Sequence, residues 1–284
     1  MAQADRQPVL DAGPQPIPFA PWEIGAIEER RQATVLRDLG KEYREWGGGI
    51  ASFDAPGSWI NQIVNAGSSG EVTTDAVEEI AAWYEERGAE PKVTITPYAH
   101  PSLIKSLGES GFVIKTIETL LVTDLSVLTG DPATLPDGYT VRTVDTHSER
   151  DIEAYVSFAA EHHFGGASNE ILLDSLRRAL REPRSINQIL YHHDTVVGVC
   201  GAERFENLGA LWGGAVAPSH RRRGLQLLLI ELRLHALREL GLRWATIASE
   251  PTVGTERNAL RAGMRPAYPR LELHRPGKGL VPSP

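Results

Sequence analysis

Residues 212–240 read WGGAVAPSHRRRGLQLLLIELRLHALREL, and this stretch decides the fold. An apolar strand that ends at Val216 is followed by a proline, by Arg221-x-x-Gly224, and by a helix that runs to Leu240. A glycine loop that enters a helix offers unpaired backbone N–H groups and the positive end of the helix dipole to an anion. Because three consecutive arginines add positive charge, the junction predicts a polyphosphate site. Neither the nucleotide P-loop spacing nor the dinucleotide glycine pattern is present.

Charge is shared unevenly along the 284 residues, whose formal net charge is −8. From Ala217 onward there are 12 Lys/Arg against 5 Asp/Glu, whereas the preceding residues carry 17 against 32. A solvated cationic helix face would give a similar excess, and that alternative stays open. Nucleic-acid binding is not indicated, because the whole chain is acidic and its arginines are not interleaved with aromatic residues.

The composition is that of a globular protein, with 41% hydrophobic and 23% charged residues. No apolar run approaches the roughly 20 residues of a membrane span, and the N-terminus lacks a secretory pattern, so a cytoplasmic protein without a membrane partner is expected.

Cys200 is the single cysteine and is predicted to be a small buried residue. The adjacent pairs His162-His163 and His192-His193 point in different directions on regular structure, so no metal site is expected.

Hydrophobic periodicity and turn residues predict two series of elements. The first series is a Pro-rich, disordered segment over 1–21, a helix that ends at the glycines 47–49, a helix over 73–88, a strand over 92–97, a helix over 100–112 and a strand over 114–125. The second is a strand over 139–144, helices over 149–163 and 171–182, three strands within 186–218, a helix over 225–240, a strand over 243–249, a helix over 254–263 and a strand over 265–274. On the helix over 225–240, one stripe of Leu228, Leu232, Ala236 and Leu240 is predicted to face the core.

Residues 83–122 and 236–273 share an order of helix, glycine, strand, proline-bearing loop, short helix and strand. Two copies of one supersecondary plan explain this order economically, although chance similarity of two common units is the alternative. The stretch that corresponds to the arginine loop in the first copy, VNAGSSGEVTTDA at 64–76, contains no arginine. Only the second copy is therefore expected to hold a polyphosphate.

The segment VAPSHRRRGLQLLLIELRLHALRELG, followed by a strand and by ERNALRAGMRPAY at 256–268, resembles the GCN5-related N-acetyltransferase (GNAT) superfamily over about residues 138–275. The resemblance implies an α/β (α+β) fold of two tandem GNAT-like domains, each a mixed, mainly antiparallel sheet flanked by helices. The implied divisions are a tail at 1–21, a degenerate GNAT-like domain at 22–125, a linker at 126–138, a catalytic GNAT domain at 139–275 and a flexible tail at 276–284.

In that superfamily a loop of the form Arg/Gln-x-x-Gly-x-Gly/Ala binds the pyrophosphate of coenzyme A, and here it falls on Arg221, Gly224 and Gln226. Gln226 departs from the small residue usual at that position. The resemblance implies backbone contacts to the coenzyme arm and contacts around the phosphates from Ala215, Val216, Ala217, Arg222, Arg223, Leu225, Leu227 and Leu228. Asn258 is expected either to bind the coenzyme arm or to cap its own short helix.

Acyl transfer from a thioester requires that an amine be oriented and deprotonated, so that its nitrogen attacks the carbonyl carbon. The oxyanion that forms on the carbonyl oxygen must be stabilised. Glu203 and Glu250 are the candidate bases, and each is also compatible with a surface or salt-bridged carboxylate. Superfamily members often supply the acid from a tyrosine in the helix before the last strand, where NALRAGM at 258–264 has none. Tyr268 is the nearest candidate acid, with a packed strand tyrosine as the alternative.

Four residues are predicted to line the acceptor pocket: His162, His163, Phe164 and Trp212. Core packing is the alternative for Trp212. The resemblance implies a monomeric or homodimeric N-acetyltransferase that uses acetyl-CoA, without a metal, to acylate a small primary amine in a ternary complex. Aminoacyl transfer from tRNA and an inactive acyl-CoA-binding sensor or scaffold are the alternatives.

Overall fold

A computed structural model of the protein describes residues 21–132, 134–166 and 169–283. The Pro-rich segment predicted to be disordered lies, up to residue 20, outside the described residues. Among the described residues no helix is both long and apolar enough to span a membrane.

In the first half of the chain, the residues from Pro21 onward that the structure describes form three helices and five strands. They are α1 Pro21–Leu39, β1 Glu42–Trp46, β2 Gly49–Phe53, β3 Gln62–Val64, α2 Thr74–Glu85, β4 Lys92–Ile95, α3 Pro101–Glu109 and β5 Val113–Asp124. The prediction that the first helix continues to the glycines 47–49 is wrong, because it ends at Leu39 and β1 follows. β1 is an exposed edge strand without apolar alternation, and Gly47 and Gly48 adopt the positive φ angles of a tight hairpin turn.

The second half follows the predicted order of elements. Its parts are β6 Tyr139–Thr143, α4 Glu149–His162, α5 Glu170–Arg181, β7 Ser185–His192, β8 Thr195–Phe205, β9 Leu208–Val216, α6 Leu225–Glu239, β10 Trp244–Ser249, α7 Gly254–Arg261 and β11 Arg265–His274. The series from β1 to β5 and the series from β7 to β11 run through strands and helices in the same order, apart from the extra β6, α4 and α5 of the second half. The two halves are thus built on one GNAT-like plan.

The strands form one 11-stranded sheet in the order β1-β2-β3-β4-β11-β5-β10-β9-β8-β7-β6. The last strand of each half lies beside the other half, since β11 is antiparallel to both β4 and β5, and β5 is antiparallel to β10. This exchange places residues of the first half at the centre of the sheet, next to the second half. The closing segment, predicted to be a flexible tail, also docks on the first half, where Val281 bridges to Ala89.

Helix α6 is buried more widely than a single stripe. Leu228 lies in the core as predicted, but Leu240 is 52% exposed, while Arg233 and His235 are buried. The helix packs on β8 and β9 and also contacts α7, so it is covered on more than one side. A four-residue spacing alone therefore describes only part of its buried surface.

Candidate functional site

Strands β9 and β10 separate partway along their length. They pair in parallel from Leu208 opposite Trp244 to Leu211 opposite Ile247, and no pairing follows beyond that point in the described strands. Between Trp212 and Ala215, β9 holds one more residue than the facing part of β8, which makes a β-bulge. Within the bulge Gly213 has a φ of +59°, a conformation that favours glycine. The bulge bends β9 away from β10 and opens a gap in the sheet.

Arg233 of α6 forms hydrogen bonds to backbone carbonyl groups next to this bulge. Its Nη1 donates to the carbonyl oxygens of Gly201 at 2.8 Å and Trp212 at 3.2 Å, and its Nε donates to Leu229 O at 2.9 Å. The side chain is only 3% exposed, and its charge is therefore stabilised by carbonyl dipoles. The sequence contains no signal for this role, because an arginine on a helix is usually solvated.

The arginine loop connects the end of β9 to α6. Arg222 and Gly224 both have positive φ angles, and Gly224 is the N-cap of the helix without a side-chain cap bond. The backbone N–H groups of residues 222–227 make no hydrogen bond to the described part of the chain. Arg221 to Arg223 are exposed, with Arg221 Nε donating to Val216 O and Arg223 Nη1 to the Tyr139 hydroxyl. Unpaired donors and positive charge thus converge at this helix start.

The first turn of α6 is tied to α7 through Gln226. Its Nε2 donates to Thr255 Oγ1 at 3.0 Å, and its Oε1 accepts from Asn258 Nδ2 at 2.9 Å. Asn258 does not cap its own helix, since the N-cap is Val253. The amide of Gln226 therefore positions α7 against the loop, and this contact was not foreseen from the sequence.

A cavity of about 290 Å³ occupies the gap between the separated strands. It is lined by residues of β9, β10, α6 and the α7 region, including Trp212, Gly213, Gly214, Gln226, Ser249 and Glu250. Ala215, Val216 and Ala217 are buried at the end of β9, where Ala217 N donates to Val197 O. Of the helix residues expected around a phosphate, Leu225 and Leu228 are buried and Leu227 is half-buried.

A second cavity of about 410 Å³ adjoins the first. Both are lined by Glu118, His163, Trp212, Gly213, Ile247 and Ala248. Phe164 lines the larger cavity, whereas the ring of His162 packs on Phe158 at 4.3 Å between centroids. The structure thus brings three of the four predicted acceptor residues, His163, Phe164 and Trp212, to this cavity. His163 lies at its exposed rim, and desolvation lowers the pKa of its ring.

Glu118 of β5 lines both cavities, although it belongs to the first half of the chain. Its carboxylate makes no hydrogen bond and no ion pair with the side chains or backbone of the described residues, although its backbone pairs with Arg270 in the sheet. Burial raises the pKa of its carboxyl, an effect that Arg270 and Lys92 oppose and that Glu272 and Glu250 reinforce. Sequence reasoning missed Glu118, since only the strand exchange brings β5 beside β10. The one available signal was a lone carboxylate inside the apolar strand IETLLV.

The three predicted catalytic residues lie in different surroundings. Glu203 lines the larger cavity but is ion-paired with Arg31 at 2.7 Å and Arg184 at 3.2 Å, and burial raises its pKa despite these partners. Glu250 is exposed and lines the smaller cavity. Tyr268 is buried, lines neither cavity, and donates its hydroxyl to Glu29 Oε1 at 3.1 Å. The structure therefore does not bring Tyr268 together with the two glutamates. Tyr268 instead packs as a strand tyrosine.

A buried ion-pair network forms one wall of the larger cavity. Arg270 of β11 contacts Glu28 at 3.1 Å and Glu29 at 2.9 Å, while Arg31 contacts Glu28 at 2.6 Å. Burial raises the pKa of Glu28, but the two arginines outweigh it and lower the pKa to about 2. Glu28 is therefore ionised at neutral pH. In the described residues, no group of three or more His, Cys, Asp or Glu side chains is arranged to hold a metal.

A sheet that opens at a bulge, beside a helix that begins at a basic glycine loop, agrees with the GNAT-like α/β fold predicted from the sequence, and the opening is the candidate site. Residues 152–256, which lie within the second half of the chain, match the model of the Acetyltransferase (GNAT) family. The matched range contains the bulge, the arginine loop and Arg233. It does not contain Glu118 or the ion-pair network.

Solved structures with the same fold span both halves. A GCN5-related N-acetyltransferase from Kribbella flavida is 18% identical, with a TM-score of 0.68 over 88% of this chain and 96% of that one. A tandem GNAT protein from the clavulanic acid biosynthesis pathway is 14% identical, with a TM-score of 0.60 over 91% and 98%. A GCN5-related N-acetyltransferase from Sphaerobacter thermophilus is 21% identical, with a TM-score of 0.56 over 72% and 68%. No curated protein matches the sequence.

Proposed function

We propose that the protein is an N-acetyltransferase that transfers the acetyl group of acetyl-CoA to the primary amine of a small molecule by direct attack in a ternary complex. The observation that carries this proposal is the meeting of two cavities at Glu118, Gly213 and Ala248. One cavity lies in the strand gap beside α6, and the other opens toward the first half of the chain. Two substrates that react with each other need such adjoining sites.

The smaller cavity and the arginine loop fit coenzyme A. Its pyrophosphate would be bound by the unpaired N–H groups of residues 222–227 together with the exposed Arg221 and Arg223. Its pantetheine arm would lie in the strand gap, where β9 beyond Leu211 no longer pairs with β10. When bound, acetyl-CoA supplies an activated thioester. The buried Arg233 keeps the bulge in shape, so that backbone groups near Gly213 are preorganised for the carbonyl oxygen.

We assign the role of base to Glu118. Glu118 takes a proton from the bound ammonium group, and the neutral amine nitrogen attacks the thioester carbon. The carbon–sulfur bond breaks, and the second proton that the nitrogen loses balances the one that the departing thiolate takes up. Glu118 lines both cavities and has no ion-pair partner, and its raised pKa makes it a stronger proton acceptor than an ordinary carboxylate. Glu203 is less suited, because its two carboxylate oxygens already accept hydrogen bonds from Arg31 and Arg184. Glu250, at the smaller cavity, is the alternative base.

Coenzyme A would bind to the second half alone. At the corresponding position of the first half, Thr73 accepts from Ala76 N and Ser102 Oγ accepts from Val72 N. Because side chains of the protein already occupy these donors at the start of α2, less remains there for a phosphate. The first half would instead contribute α1 and Glu118 to the acceptor side.

Acetyl-CoA binding by calorimetry, combined with thiol release over a panel of amines, tests the proposal. We expect saturable binding and amine-dependent release of free coenzyme A thiol. Failure to bind acetyl-CoA would overturn the proposal altogether. Binding without thiol release for every amine would instead identify an acyl-CoA sensor.

A further inference from the structure

The larger cavity has one apolar wall and one charged wall, and their chemistry indicates which kind of acceptor would bind there. One wall is apolar and comes from both halves of the chain: Val35, Leu36, Leu39, Trp59 and Ala179. Phe164 and Trp212 add aromatic surface near the junction with the smaller cavity. An apolar or aromatic body of a substrate would be desolvated favourably against these side chains.

The other wall is charged, with four glutamates and two arginines among the lining residues. These are Glu28, Glu118, Glu182, Glu203, Arg31 and Arg270. Both arginines are already engaged, Arg31 with Glu28 and Glu203 and Arg270 with Glu28 and Glu29. A carboxylate on the substrate would therefore meet no unengaged cation among these lining residues.

Glu118 is the carboxylate of this wall without an ion-pair partner among the described residues. Glu182, by comparison, is paired with Arg184 at 2.9 Å. A single free carboxylate next to the coenzyme side complements one ammonium group, whereas a polycation would need several. The negative excess of the wall also favours a cation over a neutral molecule.

Building on the proposed function, we infer that the acceptor is a monoamine with an apolar or aromatic body and no carboxylate. Glu118 receives the ammonium group and the wall around Trp59 receives the body. A free amino acid is disfavoured because its carboxylate would be buried without a partner. A polyamine is disfavoured because its further ammonium groups would face apolar side chains.

Acetyl transfer to 2-phenylethylamine, phenylalanine and spermidine tests the inference. Phenylethylamine and phenylalanine share a body and differ by the carboxylate, so we expect kcat/KM to favour the former about 100-fold, the ratio for a difference of a few kcal/mol. Spermidine is expected to be a similarly poor substrate. Equal or better turnover of phenylalanine or spermidine would overturn the inference while leaving an acetyltransferase.

Calorimetry on protein saturated with coenzyme A gives a readout that does not depend on turnover. Phenylethylamine is expected to bind and phenylalanine is not. The Trp59→Leu variant should raise the KM for phenylethylamine at least fivefold while the Kd for acetyl-CoA stays the same, an effect in the range of a lost aromatic contact. Trp22→Leu, at a residue that is 60% exposed on α1, is the matched control and should change neither value. An unchanged KM in Trp59→Leu, or equal binding of the two ligands, would argue against the site.

Discussion

Arg270 and Glu28 form an ion pair at 3.1 Å although they are 242 residues apart in the chain. Glu28 lies on the first helix and Arg270 on the last strand, and each side chain is 2% exposed. Their contact depends on the strand exchange, which places β11 between β4 and β5. The pair thus joins the two ends of the described fold at the wall of the larger cavity.

Replacement of Glu28 by glutamine should lower the free energy of unfolding by about 3 kcal/mol at pH 7, because buried guanidinium groups lose their counter-charge. The pKa of Glu28 in the folded protein is about 2, below its ordinary value of 4.5. Ionised Glu28 therefore stabilises the fold fully above pH 4.5, and this contribution is lost as pH falls toward 2. Chemical denaturation between pH 7 and pH 3 would measure it.

The difference between the wild type and Glu28→Gln should accordingly shrink at acid pH. Glu118 and Glu203 have raised pKa values and affect stability in the opposite direction, but both proteins contain them. Glu23→Gln, at an exposed position on the same helix, is the control and should be nearly neutral. A difference that stays constant down to pH 3 would contradict the assignment.

Replacement of Glu118 by glutamine should lower kcat about 100-fold, which is typical of a lost general base. The Kd for acetyl-CoA should stay within twofold, since Glu118 is not among the residues 221–227 proposed to bind its phosphates. In the wild type, kcat/KM should rise with pH as Glu118 loses its proton, with a pKa above the ordinary 4.5 of a glutamate. Steady-state kinetics across pH would show this limb and its loss in the variant.

Two further variants make the result for Glu118 specific. Glu239→Gln changes an exposed carboxylate of α6 and should leave the rate unaltered. Glu250→Gln changes the alternative base. If Glu250→Gln removed the acidic limb and Glu118→Gln did not, the two roles would have to be exchanged.

Replacement of Arg233 by methionine should destabilise the fold by about 3 kcal/mol and raise the KM for acetyl-CoA. The variant keeps an apolar chain of similar length but leaves the carbonyls of Gly201 and Trp212 without their donor. Thermal unfolding and initial rates measure both effects. Arg238→Met on the same helix, where the guanidinium contacts Leu128 O near the surface, should have a smaller effect on both. Equal effects of the two variants would contradict the role of Arg233 in stabilising the bulge.

Reversal of charge at Arg221 and Arg223 together, each to glutamate, should weaken acetyl-CoA binding at least tenfold, about 1.4 kcal/mol. The two side chains are exposed beside unpaired N–H groups, so the change acts mainly on the bound anion. Calorimetry measures the dissociation constant. Lys105→Glu with Lys278→Glu reverses as many charges at exposed positions elsewhere and is the control. An unchanged dissociation constant in the arginine variant would contradict the proposed phosphate site.

The local features of the second half could be read from the sequence because they depend on neighbouring residues. The glycine before α6, the arginines and the meander of β7 to β9 are encoded in consecutive stretches, and the family resemblance followed from them. The prediction of a helix through residue 46 was wrong because it also relied on the local pattern alone. An exposed edge strand such as β1 has no hydrophobic period to distinguish it.

By itself, the sequence determined the order of elements in the second half and the two-copy plan, and it predicted the loop where a polyphosphate would bind, since those rest on periodicity and turn chemistry along the chain. Only the tertiary structure decided that Glu118 lies at the junction of the cavities, that Tyr268 lies against α1, and that Arg233 holds a bulge. Strand exchange and side-chain burial join residues that are far apart in sequence. Such contacts arise from the packing of the whole sheet and leave no local pattern.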